Sequence, residues 1–81
     1  MKAQAEVSLY PLRESNLAEP INEFVEILRN NEVDVRVGSM SSLVVGDSRN
    51  LFEGLRKAFE QLAEKYAIFM TLKISNACPD A

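Results

Sequence analysis

The side chains that most often do chemistry in proteins are nearly absent from this sequence. It has no histidine and a single cysteine, Cys78. Cys–His and Ser–His nucleophile systems are therefore excluded, and so are imidazole metal sites. A zinc ion would have to be held by Cys78 and carboxylates, a poor donor set for that metal. One thiol cannot close an internal disulfide. Proton transfer would fall to Asp, Glu, Lys or Tyr, which titrate far from neutrality unless strongly perturbed. What remains is hydrogen bonding and stacking, so a non-catalytic binding module or assembly subunit, without metal or cofactor, is the expectation.

Composition narrows the setting. The chain has 81 residues, 47% hydrophobic and 26% charged, with a net charge of -3. That is one domain, residues 1–81, too apolar for a disordered segment. A net negative chain has no electrostatic reason to seek a nucleic-acid backbone. No apolar run approaches the roughly 20 residues of a membrane span, and Met1–Tyr10 has no charged start followed by a hydrophobic signal segment. The expectation is a soluble, cytoplasmic protein.

The elements that position the polar side chains follow from periodicity. Ala3–Tyr10 alternates: Ala3, Ala5, Val7 and Leu9 share one face, Gln4, Glu6, Ser8 and Tyr10 the other. That is a strand covered on one side, ended by Pro11. After the polar stretch Arg13–Glu19, Pro20 suits the first turn of a helix, with Asn16 and Glu19 offering a competing capping box. Ile21, Phe24, Val25 and Leu28 form its buried stripe and Asn30-Asn31 its stop. Val33, Val35 and Val37 mark a second strand, Gly38-Ser39 a turn, and Ser42–Val45 a third strand stopped by Gly46. Asp47 or Ser48 caps the next helix. Its stripe is Leu51, Leu55, Ala58, Phe59, Leu62 and Tyr66, with Glu53–Lys57 as an i,i+4 pair and Gly54 as a costly interior glycine. Ala67–Ser75 is the last strand, its Ile68, Met70, Leu72 and Ile74 row opposite Phe69, Thr71, Lys73 and Ser75. Asn76–Ala81 is a short tail.

The order β-α-β-β-α-β predicts a ferredoxin-like α+β domain: a four-stranded antiparallel sheet with both helices on one face. Its usual strand order, 4-1-3-2, places the first strand beside the last and the third. The uncovered face then carries Glu6, Ser8 and Tyr10 beside Thr71, Lys73 and Ser75, with Asp34 and Arg36 on the second strand. Two aromatics on it, Tyr10 and Phe69, and a third strand that is apolar on both sides, predict burial by a second subunit, a ligand or both. A small core also favours association. Glu6 and Lys73 are placed to form a cross-strand ion pair.

Three segments then stand out together: Val7-Ser8-Leu9-Tyr10-Pro11-Leu12; Met40-Ser41-Ser42 with Gly46-Asp47; and Ile74-Ser75-Asn76-Ala77-Cys78-Pro79. In that order around two helices they resemble the YkoF-like thiamine-binding family, small ferredoxin-like domains of bacteria and archaea, over nearly the whole chain. The resemblance implies non-catalytic binding of thiamine or its hydroxymethylpyrimidine moiety, linked to uptake or salvage of the vitamin. It also implies a homodimer or homotetramer, because this chain holds one repeat. On that reading the hydroxyls of Ser8, Ser41, Ser42 and Thr71 meet the aminopyrimidine, and Tyr10 or Phe69 stacks on or walls the ring. Glu6 pairs with the thiazolium charge or accepts from the amino group. The chain departs from many relatives at Ser42, where they carry threonine, and at Val45, where some carry an acid. Cys78 reads as a packing or family-signature residue rather than a reactive thiol.

Other uses of the fold fit less well. An acylphosphatase would use Arg13 after the first strand, but the glycine-rich anion cradle and a paired asparagine are missing. An RNA-recognition domain would carry stacking aromatics on the third strand, and a metal-carrying relative a CxxC motif. The stronger alternative is a structural or regulatory subunit whose open face serves self-assembly without a small-molecule ligand.

Overall fold

The computed structural model describes residues 1–77. Its elements are β1 (Lys2–Leu12), α1 (Ala18–Asn30), β2 (Asp34–Val37), β3 (Ser42–Asp47), α2 (Ser48–Ala63) and β4 (Ala67–Ser75). The strands form one sheet in the order β2-β3-β1-β4, with every neighbouring pair antiparallel. This is the ferredoxin-like α+β fold that the alternation predicts. Cys78, and the motif that runs through it to Pro79, lie outside the described residues. No helix among the described residues is long and apolar enough to cross a membrane.

The core follows from the period-two face of the sheet meeting the period-3.6 stripes of the helices. Ala3, Ala5 and Val7 of β1 are buried with Val35 and Val44, under Phe24, Ile27 and Leu28 of α1 and Leu51, Leu55, Ala58 and Leu62 of α2. Burying each large side chain contributes roughly 1.5–3 kcal/mol. Gly54 of α2 faces Leu28 and Asn31 at the end of α1. A Cβ there would stand 2.9 Å from Leu28 Cδ2 and 3.4 Å from Asn31 Cβ. The helix-propensity cost of this glycine is thus exchanged for helix–helix contact.

Several local features differ from the sequence expectation. β1 does not stop at Pro11. It continues to Leu12, because beyond Val7 the strand is paired only with β4, and a proline is tolerated where one side has no partner. β3 likewise runs through Gly46, opposite Ala3, to Asp47. There the Asp47 side chain accepts from the Arg49 N–H at 3.1 Å and caps α2. α1 begins before Pro20, with the Asn16 side chain accepting from the Ala18 N–H at 3.1 Å. Its buried stripe uses Ile27, and Ile21 is only half-buried.

Cover is also less complete than periodicity implies. Val37, Leu72 and Ile74, on the helix-facing side of the sheet, are exposed, so the helices do not cover that side completely, and Phe59 on α2 itself is exposed too. Of the apolar row on β4, only Ile68 and Met70 pack against the core. Glu53 pairs with Arg56 rather than Lys57, and Lys57 turns to donate to Asn31 Oδ1 at 3.3 Å.

Two consequences can be measured. Gly54→Val forces branched bulk against Leu28 and Asn31 and is expected to destabilise the domain by about 1–3 kcal/mol. The readout is a lower urea midpoint at unchanged m. The second concerns Asp47, whose carboxyl the Met1 ammonium and then the Arg49 N–H hold below its ordinary value. A carboxyl lowered on folding stabilises above the ordinary carboxylate range and ceases to do so as pH falls through its folded value. Asp47→Asn keeps an acceptor for Arg49 but loses the charge. Its thermal midpoint is therefore expected to fall below that of the parent chain at neutral pH and to converge with it in acid.

Candidate functional site

The face of the sheet away from the helices is built by direct cross-strand neighbours on β1 and β4. Tyr10 stands opposite Phe69, Ser8 opposite Thr71, Glu6 opposite Lys73 and Gln4 opposite Ser75. On the other flank of β1, Leu43 is opposite Glu6 and Val45 opposite Gln4; Arg36 and Asp34 of β2 continue those two rows. Chemistry therefore grades along the strands. At one end the Tyr10 and Phe69 rings lie 6.1 Å apart, inclined at 56°, and are 48% and 57% exposed. The hydroxyl pair Ser8 and Thr71 comes next, followed by the carboxylate of Glu6 and the ammonium of Lys73.

The β2–β3 hairpin brings one more group to this face. The Gly38 N–H donates to the Ser41 carbonyl at 2.9 Å and closes the turn. A Cβ at position 38 would lie 2.7 Å from that same oxygen, so the turn requires glycine. Thus held, Ser41 Oγ donates to Glu6 Oε2 at 3.1 Å. Glu6 is engaged by this hydroxyl rather than by the lysine beside it.

Five of the six residues expected at the site, Glu6, Ser8, Tyr10, Ser41 and Thr71, therefore belong to one surface. Ser42 does not. It is registered with Val7 and Val37, which puts it on the helix-covered side, where it is only 9% exposed. Among the described residues its hydroxyl has no hydrogen-bond partner. No side-chain donor or acceptor there is both fully buried and unpaired, so this oxygen borders accessible space.

Leu43 and Lys73, with Gln4, Glu6 and Ser75, line a shallow depression on the open face, of about 170 Å³. Ligand pockets typically run to roughly 300–1,000 Å³, so on this face a single chain offers a floor rather than an enclosure. Leu43 was missed as a lining residue. Its signal is positional: the register with Glu6 brings it here, and that register is invisible until the strands are paired. No cluster of three or more metal-ligating side chains occurs among the described residues.

Fold and face together define a ferredoxin-like domain with one bare, graded sheet surface. The profile of the YKOF-related family matches residues 2–81, and the chain belongs to that family. Among solved structures, a hypothetical protein of Methanocaldococcus jannascii shares 20% identity at a TM-score of 0.84, covering 99% of this chain and 84% of that one. A protein of Streptococcus pneumoniae shares 23% at 0.80, covering 93% and 86%. A protein of Thermotoga maritima, provisionally assigned to thiamine biosynthesis or salvage, shares 18% at 0.78, covering 91% and 82%. At these identities the likeness is one of fold. No functionally curated protein matches the chain.

The state of Ser42 has a direct test. A hydroxyl that bonds nothing among the described residues is expected to contribute little to stability. Ser42→Ala is therefore expected to change the unfolding free energy by less than about 0.5 kcal/mol, within the range of ordinary surface substitutions. A loss above about 1 kcal/mol in urea denaturation would show that the hydroxyl holds the fold.

Proposed function

We propose that this chain is a cytoplasmic, non-catalytic binding protein for thiamine or its hydroxymethylpyrimidine moiety, serving uptake or salvage of the vitamin. Family membership and the provisional assignment of the Thermotoga maritima relative support the reading. The observation that carries it is the gradient along β1 and β4, from aromatic pair to hydroxyl pair to carboxylate. An aminopyrimidine is a flat apolar body with one amino donor and ring-nitrogen acceptors. Ser8 and Thr71 can donate or accept along its edge. Tyr10 and Phe69 wall it, and the Glu6 carboxylate, with Ser41 bonded to it, faces a thiazolium charge or the amino group. A second copy laid over the exposed Tyr10, Phe69 and Leu43 completes the enclosure that one chain lacks. The alternative is a self-assembling subunit that buries the same face without a ligand.

Calorimetric titration of thiamine and of hydroxymethylpyrimidine distinguishes them. Binding is expected for at least one compound, together with a raised thermal midpoint, since a ligand that binds only the native state must stabilise it. Thr71→Ala is expected to weaken binding about tenfold, the equivalent of one hydrogen bond of roughly 1.4 kcal/mol. If Ser42→Ala abolishes binding while Thr71→Ala leaves it intact, the ligand lies on the helix side of the sheet. Absence of both heat and stabilisation for both compounds rejects the proposal in favour of the subunit.

A further inference from the structure

Lys73 of β4 stands opposite Glu6 on the open face, and the two do not pair. Among the described residues its ammonium has neither a hydrogen bond nor an ion pair. It borders the depression of about 170 Å³ together with Gln4 and Ser75 of the next row. The Ser75 hydroxyl accepts from the Ala77 N–H at 2.9 Å, which leaves its own proton to donate. The Gln4 carboxamide makes no side-chain hydrogen bond among the described residues. An ammonium, a carboxamide and a hydroxyl, all with donors unspent, thus border one hollow. Glu6, the acid on its rim, is held from the far side. Ser41, which bonds that carboxylate at 3.1 Å, precedes the Ser42–Val7 pair and so lies toward the Ser8 row. A rim rich in donors suits oxygens that carry negative charge. The hollow has room for a phosphoryl group, while a whole-ligand pocket needs roughly 300 Å³ or more.

Position along the strands says what these donors meet. Successive open-face rows lie two residues apart, about 7 Å at roughly 3.4 Å per residue. The hydroxyl row of Ser8 and Thr71 comes first, the Glu6 and Lys73 row second, and the Gln4 and Ser75 row third. The inference rests on the proposed function, in which the aminopyrimidine meets the hydroxyl row. The thiazolium cation then falls over Glu6, and the hydroxyethyl arm leads on toward the hollow. A bare alcohol brings no charge to the donors there. A phosphate monoester brings negative charge and three strong acceptor oxygens. We propose that the preferred ligand is the phosphate monoester of thiamine, its phosphate recognised by Lys73, Gln4 and Ser75. The order along the molecule is neutral ring, cation, anion. It matches the order along the strands: hydroxyls, carboxylate, donors. The phosphate ester of hydroxymethylpyrimidine does not match. Its phosphate, one carbon from the ring, falls short of the hollow and meets the Glu6 carboxylate.

Calorimetric titration in phosphate-free buffer tests it, with thiamine, thiamine monophosphate, hydroxymethylpyrimidine and the phosphate ester of hydroxymethylpyrimidine. Thiamine monophosphate is expected to bind about tenfold tighter than thiamine at low salt, the scale of one charge-assisted hydrogen bond at an exposed site. That preference is expected to shrink as salt is raised, because exposed charges are screened. Hydroxymethylpyrimidine is expected to gain nothing from its phosphate. Lys73→Met, at an exposed position, is expected to erase the preference, and Lys73→Arg to keep most of it. Inorganic phosphate at equal concentration is expected not to displace the ester. Three results overturn the inference while leaving the proposed function standing. Thiamine monophosphate binds no better than thiamine, or its advantage survives in Lys73→Met, or hydroxymethylpyrimidine gains as much from its own phosphate. Displacement of the ester by equal inorganic phosphate also overturns it, since the anion alone would then be the ligand. Failure of all four compounds to bind overturns both readings.

Discussion

Two helices cannot roof both sides of a sheet, and here they do not fully roof even one. The alternation in β1 sends Ala3, Ala5 and Val7 toward the helices and Glu6, Ser8 and Tyr10 away from them. Val35, Val44 and the helix stripes continue the covered side, while β3 and β4 also send Leu43, Val45 and Phe69 to the open one. The alanines near the start of β1 let the helices settle close to the sheet, and Gly54 lets them settle close to each other. A compact two-layer core follows, and it leaves a bare face and an outer strand covered only at Ile68 and Met70. The surfaces free to meet a ligand or a second chain are those the helical layer fails to reach.

Much of the fold could be read from side-chain period alone. Alternation in β1 and β4, two amphipathic stripes, and turn residues between them are local signals, and they determine the element order that the structure shows. The limits of cover were not legible. Period says which way Phe59, Val37, Leu72 and Ile74 point, but not whether a neighbour extends far enough to meet them, because that depends on how the helices lie across the sheet. Pro11 misled for a related reason. A missing N–H ends a strand only where that N–H would have had a partner, and pairing is a long-range property.

The site shows the same contrast. Glu6, Ser8 and Tyr10 share a face by parity, and Thr71 joins them through register with β1. Ser42 could not be assigned this way, because the strand it begins, Ser42–Val45, is apolar on both sides, so parity within it carries no information about direction. Only its pairing with Val7 places it among the core residues. The hydrogen bond from Ser41 to Glu6 was also out of reach, since it spans two loop-separated segments brought together by the hairpin. What the sequence did carry was the residue types: hydroxyls, two aromatics and a carboxylate, with no histidine to do chemistry on whatever they hold.

One joint in the chain acts as a mechanical coupling. Asp47 is at once the last rung of β3 and the cap of α2, with no linker between them. Strand register and helix rotation are therefore geared together. Were β3 to shift by one position along β1, the gear would turn α2 by about 100°, swinging Gly54 out of mesh with Leu28. A slipped strand would therefore carry a mis-seated helix with it.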